Sequence, residues 1–182
     1  MALGAAVVIA AGLAPAGHRR AALVATALGV AWLGVCLAHG VLLRELPHGG
    51  GLLIAVLLAT FLGDTAAQLV GTAFGRTRLA PAISPNKTVE GLLAGVAGGT
   101  LACWAFAVLG PDWLTAGDAL VLGLACSLAA PAGDLFESAL KRRAGVKDSG
   151  RVFGAHGGAL DRVDAALAAA VAGYYVAHGL IV

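Results

Sequence analysis

Charge is what this chain has little of. Asp, Glu, Lys and Arg make up 12% of its 182 residues, about half the share found in an ordinary globular domain. Hydrophobic residues reach 59% before the 27 glycines are added, against about 45–50% with glycine included in a soluble fold. Twelve basic and ten acidic side chains cannot clothe a soluble domain of this length, which excludes a soluble enzyme and a disordered chain. The formal net charge of +2 is far below the clustered positive charge of a nucleic-acid binder, so no nucleic-acid partner is expected. Cysteine is scarce as well: Cys36, Cys103 and Cys126 each stand alone in apolar sequence, with no CxxC spacing and no disulfide framework. They read as small buried hydrophobes.

What the chain has instead is long apolar runs. Charges and Pro/Gly clusters divide it into six, at about 1–16, 21–43, 50–74, 88–110, 116–140 and 160–182. Most reach the roughly 20 residues that a bilayer core demands of a helix. The expected fold is all-α, a polytopic transmembrane helical protein with about six membrane helices and the lipid bilayer as its surroundings. The first run is a marginal span and a poor signal peptide, since it has no basic residue before its apolar stretch. Eleven of the twelve bases fall in odd-numbered loops: Arg19 and Arg20; Arg76, Arg78 and Lys87; Lys141, Arg142, Arg143, Lys147, Arg151 and Arg162. Loops rich in Lys and Arg stay cytoplasmic. With six spans, the odd loops face the cytoplasm and both termini face outward. Gly91, Gly95 and Gly99, and more briefly Gly71 and Gly75, recur at the spacing that lets helix backbones approach closely in lipid.

The acidic residues carry the chemistry. Asp64, Glu90, Asp134, Glu137, Asp161 and Asp164 lie inside apolar runs or at their ends, where a carboxylate is costly unless paired, hydrated or bound to a cation. The topology gathers all six toward the cytoplasmic side. Asp161 with Asp164, and Asp134 with Glu137, are spaced i, i+3 and share a helix face. Several carboxylates aimed into one wet pocket would make an oxygen-ligand site for a hard cation such as Mg²⁺. The competing reading is ion pairing with nearby bases, as for Glu137 with Lys141 or Asp161 with Arg162. Asp64 and Asp134 lie deeper, with no base beside them. Pro131 and Gly133, just before Asp134, suggest a locally broken helix, which membranes tolerate where backbone lines a cavity.

Two loops supply complementary charge. The loop GRTRLAPAISPNKT (75–88) carries two prolines and a polar cluster, Ser84, Asn86, Lys87 and Thr88, directly before a helix start. Backbone amides at a helix N-terminus, a lysine and hydroxyls favour phosphate, although the glycines of a Walker A loop are missing. The second, KRRAGVKDSGRVFGAHGGALDRVD (141–164), interleaves cations, carboxylates, glycines and His156. Carboxylate-held magnesium ringed by Lys and Arg suits a nucleoside triphosphate. A solvated basic loop attracted to anionic lipid explains the cations but not AHGG followed by LDRVD. His156 could serve as a base, a phosphate contact or a structural hydrogen bonder; His18, His39, His48 and His178 are scattered.

These residues resemble the phosphatidate cytidylyltransferase (CDP-diacylglycerol synthase) family. The signature runs from Ser138 through Lys141-Arg142, Lys147-Asp148 and His156-Gly157-Gly158 to Asp161-Arg162 and Asp164. The block 63–91 and the stretch around Gly133-Asp134-Leu135 are similar too. The departures are Gln68, Val89, Gly154-Ala155-His156 and Ala165, and none removes a charged member. The resemblance implies that CTP and phosphatidic acid give CDP-diacylglycerol and pyrophosphate, with Mg²⁺ required and a monovalent cation as an optional companion. It implies metal carboxylates at Asp134, Asp161 and Asp164, and phosphate contacts at Lys141, Arg142, Lys147 and Arg162. Ser84, Lys87 and Thr88 would bind a phosphate of nucleotide or lipid. Asp64, Asp148 and His156 complete the catalytic set.

On this reading, residues 1–60 are N-terminal membrane helices and 61–182 a catalytic membrane region with cytoplasmic loops at 75–88 and 141–160. The site faces the cytoplasm at the inner (plasma) membrane, and the family's tendency to dimerise suggests a homodimer. Typical members carry additional N-terminal helices, so the chain reads as a short or N-terminally truncated member. Three other readings stand beside it: a CDP-archaeol-type synthase acting on another lipid phosphate, a cation or proton transporter, and a non-catalytic fragment that pairs with a partner subunit. The one-sided clustering of acids and the lack of inverted repeats weigh against the transporter.

Overall fold

The computed structural model describes residues 19–143 and 163–182. Five helices run in chain order: α1 (Arg19–Glu45), α2 (Gly49–Phe74), α3 (Val89–Leu109), α4 (Ala116–Arg143) and α5 (Asp164–Val176), the last continued by a π-helical turn, Ala177–Ile181. Between α2 and α3 lies an antiparallel hairpin of β1 (Arg78–Ala80) and β2 (Ser84–Thr88). Thr26–Glu45, Gly49–Phe74, Val89–Leu109, Ala116–Arg142 and Asp164–Ile181 are long and apolar enough to cross a membrane. The protein is therefore an all-α, multi-pass membrane protein. These spans match five of the six expected runs to within a few residues, and the run 1–16 lies outside the described residues.

By compactness the chain divides into Met1–Ala38 and His39–Val182. Within the first unit, Val24, Leu28, Val35 and Leu37 present their side chains outward. The second unit has a core of Leu43, Leu52, Val56, Leu122, Cys103 and Cys126, each essentially inaccessible. All three cysteines are free and buried, as small hydrophobes should be. Leu93, Leu101, Val108, Leu120, Val121, Leu124 and Leu128 point outward instead. Apolar side chains on the outside and small residues within are the arrangement a helix bundle adopts when its solvent is hydrocarbon.

Glycine sets the spacing. Gly91, Gly95 and Gly99 are buried along α3 and face α2. A methyl at Gly95 would stand 2.9 Å from the Ala67 Cβ and 3.1 Å from the Gly63 carbonyl oxygen. One at Gly91 would meet the Ala67 carbonyl at 2.8 Å. On α4, a methyl at Gly133 would stand 2.5 Å from the Ala168 Cβ and 3.0 Å from the Asp164 carbonyl, so α5 also packs backbone to backbone. The expected stripe is thus an α2–α3 seam.

Helix α4 is continuous through Pro131, which corrects the expectation of a break there. Proline removes the hydrogen bond to the carbonyl four residues back, that of Ser127. Neighbouring packed helices tolerate this in a membrane, and Pro131 lines a cavity rather than opening the helix. At the other end of the bundle, His48 turns the chain from α1 into α2 with φ 57°. This left-handed conformation is uncommon outside glycine, and histidine is one of the residues that adopt it more readily. Its ring stacks on Trp113 with centroids 4.8 Å apart, which holds the turn.

Candidate active site

The hairpin is built before it is used. Glu90, in the first turn of α3, accepts hydrogen bonds from the backbone amides of Arg76 (3.1 Å) and Thr77 (3.2 Å) and from the Thr77 hydroxyl (3.0 Å). The Val89 amide donates to the Thr77 carbonyl at 2.9 Å. Thr88 caps α3 by accepting from the Gly91 amide at 3.1 Å. Its buried side chain also sits against Gly71 and Gly75 at the end of α2. The strands pair Arg78 with Thr88 and Ala80 with Ser84. Residues 75–88 are therefore a folded hairpin, anchored where it leaves α2 and where it enters α3.

Beneath it lies a cavity of about 720 Å³ between α2, α3 and α4. Asp64 and Gln68 enter from α2, Asp134 from α4, and Arg78, Asn86, Lys87 and Thr88 from the hairpin. The Lys87 ammonium forms an ion pair with an Asp134 carboxylate oxygen. The other Asp134 oxygen accepts from the Ser138 hydroxyl at 3.2 Å. Asp64 lies within electrostatic reach of Asp134, Lys87 and Asp164. Two residues assigned from sequence to different helices and one from a loop thus meet in one place.

Other expected site residues stand around this centre. Asp164 opens α5, almost wholly buried, with its carboxyl close enough to that of Glu137 for the two charges to interact. Glu137 is itself 2% exposed and accepts from Lys141 Nζ at 3.1 Å, the i, i+4 pairing weighed from sequence. Arg142 reaches the hairpin turn, donating to the Ile83 carbonyl at 3.3 Å. Ser84 sits farther out on β2 and does not line the cavity. Lys147, Asp148, His156, Asp161 and Arg162 lie outside the described residues.

Asp64 and Asp134 offer carboxylate oxygens, the donors a hard divalent cation takes, so the donor chemistry fits magnesium. Among the described residues no three His, Cys, Asp or Glu side chains are grouped closely enough to hold a metal. The expected set includes Asp161, which is not among them. Sequence reasoning passed over Arg78 as a site residue and left Asn86 in the polar cluster without a role. Both line the cavity, and only the hairpin register brings them there.

Fold and site together define a multi-pass helical membrane protein with a carboxylate- and lysine-bearing cavity between α2, α3 and α4. Residues 2–180 match the Cytidylyltransferase family, and the chain belongs to it. It is 38% identical over 128 residues to the phosphatidate cytidylyltransferase of Thermotoga maritima, covering 68% of this chain and 47% of that protein. It is 44% identical over 131 residues to the protein of the same name from Synechocystis, covering 69% and 43%. With the Mycobacterium leprae phosphatidate cytidylyltransferase it shares 37% over 150 residues, covering 81% and 47%. The chain spans about half the length of the curated relatives it matches.

Proposed function

We propose that this chain carries the site of a CTP-dependent phosphatidate cytidylyltransferase, making CDP-diacylglycerol and pyrophosphate. The observation that carries the reading is the cavity between α2, α3 and α4, in which Asp64, Asp134 and Lys87 converge beneath the hairpin, in a chain of this family. In the reaction, a phosphatidate oxygen attacks the α-phosphorus of CTP. The bond from that phosphorus to the bridging oxygen of pyrophosphate breaks, and pyrophosphate leaves with its electron pair. Phosphatidate is already an anion at neutral pH, so positioning and electrostatics can carry the step.

Asp134, Asp161 and Asp164 would hold magnesium, optionally with a monovalent cation beside it. When bound, the metal supplies neutralisation of charge on the transferring group. Lys87 and Thr88, with Ser84 at the hairpin's outer end, would contact a phosphate of nucleotide or lipid. Lys141, Arg142, Lys147 and Arg162 would gather the remaining phosphate charge. Asp64, Asp148 and His156 would complete the site. By the distribution of basic loops the site faces the cytoplasm at the inner (plasma) membrane, and the tendency of the resembled family to dimerise is what supports a homodimer.

The test is pyrophosphate release by the purified chain in detergent with Mg²⁺ and CTP. One arm contains phosphatidate and the other an isoprenoid-glycerol phosphate. Release with phosphatidate supports the reading, and release with the isoprenoid lipid alone transfers it to the archaeol-type reaction. Silence in both overturns it.

A further inference from the structure

Among the described residues two cations line the cavity, Lys87 and Arg78, and they are not equivalent. The Lys87 ammonium is wholly enclosed and committed to Asp134. An incoming oxyanion would have to displace a carboxylate to reach it. Arg78 is exposed and lines the same cavity, and no described residue gives it an ion pair or a side-chain hydrogen bond.

The position of Arg78 is fixed by its neighbours. It pairs with Thr88 in the strand register, and the residues before it, Arg76 and Thr77, are fastened to Glu90. The amides of Asn86 and Gln68 share the wall, adding neutral donors around the charge. A guanidinium presents a rigid fork that matches two phosphate oxygens at once, which an ammonium cannot do. Among the described residues the cavity thus has one cation already paired with a carboxylate, which an entering phosphate would have to share, and one without such a partner, open to an anion arriving from outside.

We propose that Arg78 is a substrate-phosphate receptor of this cavity, the first cation to engage the oxyanion of an entering phosphate compound. The inference rests on the reading that the cavity handles phosphate-bearing substrates. The shared chemistry is a phosphate oxyanion, borne by CTP or by the phosphatidate headgroup.

The experiment measures binding separately from turnover, with the full chain and its Arg78→Ala, Arg78→Gln and Arg78→Lys variants. Binding of CTP, and of inorganic pyrophosphate, is read by calorimetry in detergent. Binding of the lipid is read as thermal stabilisation in nanodiscs of phosphatidylcholine with and without phosphatidate. Loss of a charged, bidentate contact should weaken one of the two phosphate sources roughly ten- to a hundredfold in Arg78→Ala and Arg78→Gln. Arg78→Lys should fall between these and the wild type, because it keeps the charge and loses the fork.

Loss confined to the CTP and pyrophosphate arms places Arg78 on the nucleotide, and loss confined to the lipid arm places it on the headgroup. Variants that melt as the wild type and bind both sources unchanged overturn the inference. Turnover in the same preparations separates the two readings. Arg78-dependent binding without any pyrophosphate release sinks the proposed reaction and leaves the receptor standing, whereas full turnover with Arg78-independent binding does the reverse. Arg78→Gln, which keeps length and hydrogen-bonding capacity, serves if the alanine variant fails to fold.

Discussion

Replacing Gly95 by alanine tests the seam that assembles the site. The added methyl would lie 2.9 Å from the Ala67 Cβ and 3.1 Å from the Gly63 carbonyl. Neither neighbour is the far end of a flexible side chain, so α2 and α3 must move apart. Overpacking of this kind costs about 1–3 kcal/mol. At roughly 2–4 °C per kcal/mol for a chain of this size, the melting temperature should fall by about 2–12 °C. The chain has its own reporter: Cys36, Cys103 and Cys126 are free and buried, so a thiol-reactive dye lights up on unfolding in detergent. Gly40→Ala is the matched control. Gly40 also lies inside a helix, α1, yet a methyl there meets nothing within 4 Å. In that position the greater helix propensity of alanine should stabilise by up to ~1 kcal/mol. The same chemical change should therefore move the two melting temperatures in opposite directions. Equal shifts would refute the claim that contact across the α2–α3 seam, rather than helix propensity, decides what a glycine does here.

Asp134→Asn should lower pyrophosphate release at least about a hundredfold while the protein still inserts in the membrane, because it removes a charge from the reacting region; kinetics on the purified variant check this, and Asp161→Asn should behave alike. Chelation by EDTA should stop release and added Mg²⁺ should restore it, read in the same assay. Glu90→Gln should loosen the hairpin, since the amides of Arg76 and Thr77 lose a charged acceptor; faster tryptic cleavage after Arg76 and Arg78 is the readout. Pro131→Ala should raise the melting temperature, because it returns a donor to the Ser127 carbonyl inside α4.

The membrane spans were legible in the sequence because lipid imposes a minimum length on apolar runs, and the glycine stripe because a spacing of four is visible along one helix. The same holds for Glu137 with Lys141, a contact within one helix face. The hairpin was not legible. Its turn, around Pro81 and Ala82, has none of the Asn-Gly or Asp-Gly chemistry that marks a two-residue connection, and its prolines read as loop stiffeners. Without the hairpin, Glu90 looks like a spare acid. Its partners are backbone amides thirteen and fourteen positions earlier, and no residue pattern announces a backbone donor. Pro131 misled in the opposite direction, since a local rule about helix breaking gave way to the packing of α4 among its neighbours.

The meeting of Lys87 with Asp134 shows where local reading stops. Positive charge in loops and acids at helix ends were enough to place both on one side of the membrane. They could not say that the lysine would be spent on the aspartate, nor that Arg78 would be left facing the cavity. That outcome depends on the seam. Gly63 and Gly71 of α2 lie against Gly95 and Gly91 of α3, and this closeness brings Asp64 toward the hairpin that α3 carries at its start. Bulk at these positions would widen the distance between Asp64 and Lys87 before it touched either. The small residues that hold the helices together in lipid are thus also what gives the cavity its charge pattern.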